Sequence, residues 1–172
     1  MRPFTIFVQA KFKSQKLLGA EIGVQEGNNA STLINMIRFE QLYLIDIWAA
    51  YKKAGRYDKG VENISFQRFY PKVIKRFGDR PDITIRKLSS VDASKKFPRE
   101  YFHFVYIDAN HTYEAVKEDI AVWFPKVKVN GVLGGHDYRR KMFPGVVRAV
   151  DEFIKKNKHK LYHKENDWWI VK

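Results

Sequence analysis

The 172-residue sequence predicts a doubly wound, mainly parallel α/β sheet with a C-terminal antiparallel hairpin. Three observations predict it. Short apolar runs without polar alternation recur along the chain, as in strands buried on both faces. Segments with apolar residues at helical spacing separate those runs, and glycine, proline or asparagine stands at the junctions.

The first strand is Leu17–Ile22, running into Gly23. A short helix is expected over residues 31–38, entered from Gly27-Asn28-Asn29, where either asparagine could cap it. Residues 42–47 are apolar on both faces and complete the first βαβ unit. A basic connection, residues 52–60, leads to a helix with Phe66, Phe69, Val73, Ile74 and Phe77 at helical spacing, stopped by Gly78. Residues 83–88 are the third strand and Phe104-Val105-Tyr106-Ile107 the fourth. The next helix carries Tyr113, Val116, Ile120 and Trp123 on one face, read as core rather than as a ligand platform, with Pro125 beyond its end. Asn130-Gly131 reads as a turn that releases a fifth strand, residues 132–135. Pro144 suits a first helical turn, and Val146, Val147, Val150, Phe153 and Ile154 supply that helix's core face. Residues 161–164 and 168–171 flank Glu165-Asn166-Asp167 as the hairpin, whose alternation leaves at most one of Trp168 and Trp169 in the core.

No repeat, low-complexity tract or linker interrupts the chain, so residues 1–172 are read as one domain. The absence of cysteine excludes disulfides, thiolate zinc sites and a cysteine nucleophile. Phe4-Thr5-Ile6-Phe7-Val8 is too short for a signal-peptide core, and no apolar stretch is long enough to span a bilayer. A cytoplasmic protein without a membrane partner is expected. The net charge of +13 attracts anions before any specific contact forms.

In such a sheet, ligands bind at the carboxyl ends of the strands, so the chemistry is expected in the loops there. Glu21-Ile22-Gly23-Val24-Gln25-Glu26-Gly27 is a strand entering a glycine-flanked turn before a helix. Asp46 ends the next strand, where it can accept ribose hydroxyls, and together they imply an adenosine-containing cofactor. The plainer alternative is that both glycines shape a tight connection and Asp46 is a solvated strand end. A dinucleotide needs a glycine two residues after Gly23 for its pyrophosphate, but Gln25 stands there and Glu26 adds negative charge. An acidic turn suits the cationic S-adenosylmethionine.

These motifs, with Leu44-Ile45-Asp46-Ile47-Trp48, Val105 through Tyr113, and Gly134-Gly135-His136-Asp137-Tyr138 followed by Pro144-Gly145-Val146-Val147, resemble the class I S-adenosylmethionine-dependent methyltransferases. The resemblance is to the small family related to macrocin O-methyltransferases and cephalosporin hydroxylases. It implies a Rossmann-like sheet of seven strands, and it places Gly23 and Gly27 under the methionine part of the cofactor. It further implies that Glu21 supports that turn, Asp46 meets the ribose, and Ser89 and Ser90 contact adenine, with Trp48 a candidate lining of the same pocket.

Asp108 and His111 follow the fourth strand and His136 and Asp137 the fifth, so four polar groups should converge where cofactor and acceptor meet. Methyl transfer needs alignment and removal of one proton, a role suited to histidine. His136 is the preferred base, ahead of His111, with Asp108 beside them. Related metal-dependent enzymes hold Mg²⁺ on carboxylates at these strand ends, which makes Asp108 and Asp137 its candidate ligands here. His136 stands where those relatives have an acid, a departure that weakens the case for the ion.

The expected activity is O-methylation of a sugar or another small hydroxylated metabolite. Two alternatives are an RNA methyltransferase using the basic surface and a non-catalytic member binding cofactor or anion. A substrate lid is expected from residues 52–60, from residues 139–144 or from a second subunit.

Overall fold

The computed structural model describes residues 2–49, 66–139 and 141–172, and the expected connection at residues 52–60 lies outside them. Among the described residues seven strands form one sheet: β1 (Leu17–Ile22), β2 (Phe39–Asp46), β3 (Ile83–Lys87), β4 (Phe102–Ile107), β5 (Val127–Gly135), β6 (Tyr162–Lys164) and β7 (Asp167–Val171). Their order is β3-β2-β1-β4-β5-β7-β6. The first five run parallel, while β7 is antiparallel to both β5 and β6. The order reverses between β1 and β4, which leaves a crevice at their carboxyl ends.

Helices cover both faces. On one face α1 (Pro3–Phe12), α2 (Asn28–Met36) and α3 (Phe69–Phe77) bury Phe4, Val8, Leu33, Val73 and Phe77 against Leu42, Leu44, Phe104 and Val132. On the other, α4 (Ser90–Ser94), α5 (Tyr113–Trp123) and α6 (Pro144–Asn157) bury Ala93, Val116, Ile120 and Val150 against Ile22, Ile45, Val105 and Leu133. This two-sided cover corrects the expectation for the hairpin. Trp168 and Trp169 do point to opposite faces, yet both are buried, at 1% and 7% exposure, because neither face of β7 meets solvent.

Other differences are local. The helix α1 was not expected, since Phe4, Ile6, Phe7 and Val8 give it apolar residues all round rather than a stripe. Neither asparagine caps α2; Gly27 occupies that position in left-handed backbone, and Asn29 turns inward to Glu21. The Asn130-Gly131 turn lies inside β5, not before it. Asn130 has φ 61, and the pairing jumps from Phe102–Val127 to Phe104–Val132, so the turn is a bulge that the strand spans.

Candidate active site

The site is built from the loops after β1, β2, β4 and β5 and from Arg2, the N-cap residue at the start of α1. After β1, Gly23 adopts φ +88 so close to the next loop that a Cβ there would overlap the Asp108 carbonyl. Only glycine satisfies both demands. Gln25 (φ 51) and Trp48 (φ 43) also take left-handed backbone, and Asp46 fixes both turns. Its Oδ2 accepts the amides of Val24 at 2.8 Å and Gln25 at 2.9 Å, and its Oδ1 that of Trp48 at 2.7 Å. Asp46 is 8% exposed, so it is a clamp for the turn and not a solvated strand end.

Two residues expected at the cofactor line neither of the cavities described below. The φ of +82 at Gly27 opens α2, and its missing side chain makes room for Phe77. Trp48 is fully buried, with its Nε1 donating to the Gln25 carbonyl at 2.9 Å and its ring 4.8 Å from that of Tyr70. It packs in the core with Phe69 and Phe77 instead of lining a pocket, because a large apolar ring loses more water there.

One cavity is apolar, walled by Ile22, Ile45, Ile47, Leu88 and Ala109, with Ser89, Ser90 and Asp119 at its polar end. Ser89 caps α4 by accepting the Asp92 amide at 3.1 Å and donates to Asp92 Oδ2 at 2.7 Å. Ser90 donates to Asp119 and accepts from Trp123 Nε1 at 2.8 Å. Burial pushes the Asp119 carboxyl up to about 7 despite the opposing Ser90 hydrogen bond. Sequence reasoning missed Asp119. Its signal was a charged residue on the apolar face of α5, beside Val116, Ile120 and Trp123.

The second cavity is polar and shares the walls of Gly23, Asp46 and Ala109 with the first. Glu21 and Asn29 lie at one end. Glu21 is 1% exposed, and its Oε1 accepts from Asn29 Nδ2 at 3.0 Å. Among the described residues, the Glu21 Oε2 and Asn29 Oδ1 atoms are buried acceptors that meet no donor. Burial pushes the Glu21 carboxyl up to about 8, against the Asn29 hydrogen bond.

At the other end the four expected groups do converge. Asp137, in left-handed backbone (φ 59), reaches His111 Nε2 with Oδ2 at 2.8 Å and His136 Nδ1 with Oδ1 at 3.1 Å. Burial would raise its pKa, but the two histidines outweigh that and hold Asp137 well below the usual carboxylate range. Asp108 Oδ1 lies 3.9 Å from His111 Nε2 and 4.0 Å from His136 Nδ1. Asp108, His111 and Asp137 each offer one ligand atom within 4.8 Å of the others.

Arg2 was also missed, as nothing in the sequence placed residue 2 near residue 108. It stands at the start of α1, and its Nη1 meets Asp108 Oδ2 at 3.0 Å and donates to the Tyr106 hydroxyl. Together with Phe143, whose ring is 4.6 Å from that of His111, Arg2 walls the polar cavity. One wall thus comes from α1, which was not among the expected sources, and another from the 139–144 segment, which was.

A family profile described as a methyltransferase domain matches residues 20–138. No curated protein matches the chain. Among solved structures, the calicheamicin methyltransferase CalS11 superposes with a TM-score of 0.72 at 11% identity, covering 98% of this chain and 77% of that one. The O-methyltransferase NovP gives 0.67 at 16%, covering 98% and 79%. The mycinamycin-pathway methyltransferase MycE, in complex with Mg, SAH and mycinamycin VI, gives 0.67 at 16%, covering 98% of this chain and 48% of that one. At these identities the structures establish a shared Rossmann-like fold, and the profile, which spans more than half of the chain, establishes the family. The chain belongs to the methyltransferase-domain family.

Proposed function

We propose that the protein is an S-adenosylmethionine-dependent methyltransferase acting on the hydroxyl oxygen of a sugar or small metabolite. The observation that carries the cofactor is the pair of cavities joined at Gly23, Asp46 and Ala109: one apolar, the other opening on two buried acceptors without donors. An adenosine fits the first, with Ser90 and Asp119 at its polar edge. An ammonium group supplies the donors that Glu21 Oε2 and Asn29 Oδ1 lack, and a buried acceptor left unpaired costs about 1–3 kcal/mol. Asp46 stands between the two, with its three amide contacts leaving one lone pair, on Oδ1, for a ribose hydroxyl. When bound, the cofactor supplies an electrophilic methyl group.

The protein's own work is positioning and proton removal. Asp137 is ionised and needs a donor on each oxygen, so it fixes the proton of neutral His136 on Nδ1. Among the described residues the His136 Nε2 lone pair then faces no hydrogen-bond partner, Asp167 Oδ1 lying 4.0 Å away. Nε2 is therefore the base that takes the acceptor's hydroxyl proton as the oxygen lone pair is committed to carbon. The same carboxylate faces His111 Nε2 at 2.8 Å, so the His111 N–H is directed at Asp137.

A divalent ion fits this donor set poorly. Asp108 Oδ2 is paired with Arg2, and both Asp137 oxygens are paired with histidines. The hydroxylated acceptor rests on the polar, histidine-lined cavity and on the activities named for NovP and CalS11. The cofactor reading is tested by calorimetry with S-adenosylhomocysteine, which should bind; tight NAD binding without it would overturn the reading.

A further inference from the structure

We propose that Arg2 is a positioning residue that holds the cation place of the acceptor pocket, its guanidinium balancing the Asp108 carboxylate that would otherwise draw a divalent ion. Four contacts fix it there. Nη1 meets Asp108 Oδ2 at 3.0 Å and donates to the Tyr106 hydroxyl. That hydroxyl donates to Asp167 Oδ1 at 2.8 Å, and Asp167 Oδ2 accepts the Phe4 amide at 3.0 Å. Asp167 is 1% exposed and ties the first turn of α1, and hence Arg2, to β4 and β7.

The consequence is electrostatic. An arginine cannot shed its proton under ordinary conditions, so its charge is permanent at a place where a metal's charge would come and go. A cation drawn to Asp108, His111 and Asp137 would sit within a few ångströms of the guanidinium and be repelled by it. Resting on the reading of this cavity as the acceptor pocket, the same charge favours the developing negative oxygen while Asp108 keeps the guanidinium in place.

The test uses Mn²⁺ as a probe, followed by electron paramagnetic resonance on the full chain, with S-adenosylhomocysteine calorimetry on the same samples. The wild type should bind Mn²⁺ weakly, Arg2→Gln at least tenfold more tightly, and Arg2→Lys like the wild type, since it keeps the charge. Adding Asp108→Asn to Arg2→Gln should abolish the gain. Equal Mn²⁺ affinity in wild type and Arg2→Gln, or a gain that survives Asp108→Asn, would overturn the proposal. If Arg2→Gln does not fold, the wild type decides: millimolar Mn²⁺ should leave its melting temperature unchanged, and a rise of several degrees overturns the proposal. Failure of S-adenosylhomocysteine to bind any variant would count against the cofactor reading, while the Mn²⁺ comparison still judges Arg2.

Discussion

Glu21 and Asp137 line the same cavity and are both largely buried, yet they are driven in opposite directions. Glu21 has one amide donor and one orphan oxygen, so burial wins and its carboxyl rises to about 8. Asp137 has an imidazole on each oxygen, so its partners win and it stays ionised far below the ordinary range. Charge in this pocket is set by the balance of depth and partners: the deeper acid with one amide donor is pushed up, and the shallower one with two imidazoles is held down. One acid is left wanting a cation, and the other has already been used to orient two histidines.

The largest expected effect comes from breaking the Asp137 end. His136→Ala should lower turnover by about 10²–10⁴-fold, the usual weight of a general base, with S-adenosylhomocysteine affinity unchanged. Activity that survives the substitution but vanishes with chelator and returns with Mg²⁺ would reassign proton removal to a metal on Asp108 and Asp137.

Breaking the Glu21 end should act on cofactor binding. Glu21→Gln should weaken S-adenosylhomocysteine by about 1.5–3 kcal/mol, the range for a hydrogen bond to a charged group. Because the free carboxyl is protonated below about 8, binding of an ammonium at pH 7 should release a proton from the wild type and none from Glu21→Gln. Calorimetry in buffers of different ionisation enthalpy reads this directly; equal proton release by both would place the ammonium elsewhere.

Between the two ends, Asp46→Ala should weaken the same ligand by about 1–3 kcal/mol and also lower the melting temperature of the free protein, since three amides lose their acceptor. Weakened binding with an unchanged melting temperature would separate the ribose role from the clamp.

The two acids also predict opposite slopes of stability with pH. For Glu21, raised from 4.5 to about 8, the cost of ionisation in the ligand-free protein is absent below 4.5, grows between those values and is complete above 8. Asp137, lowered, contributes stability that is full above the ordinary carboxylate pKa and is lost only in strong acid. Melting temperatures should therefore fall from pH 5 to pH 8 in the wild type and fall less in Glu21→Gln. The smallest effect concerns the basic surface. RNA binding should be weak, sequence-indifferent and lost on raising salt, and selective RNA methylation at physiological salt would revive that alternative.

The sequence by itself determined the strand-helix alternation, the seven-stranded sheet and the clustering of Asp108, His111, His136 and Asp137, because apolar period, glycine turns and strand ends are local properties. Tertiary structure alone decided which polar groups reach those strand ends from elsewhere. Arg2 arrives by way of a helix with no apolar stripe, and Asp119 from the buried, apolar face of α5. It also sent Trp48 and Gly27 into packing roles and kept both hairpin tryptophans in the core, because water is excluded from both faces of the sheet. Whether a polar residue serves a site or a turn depends on what is packed over it, and that is fixed only when both layers of helices close on the sheet.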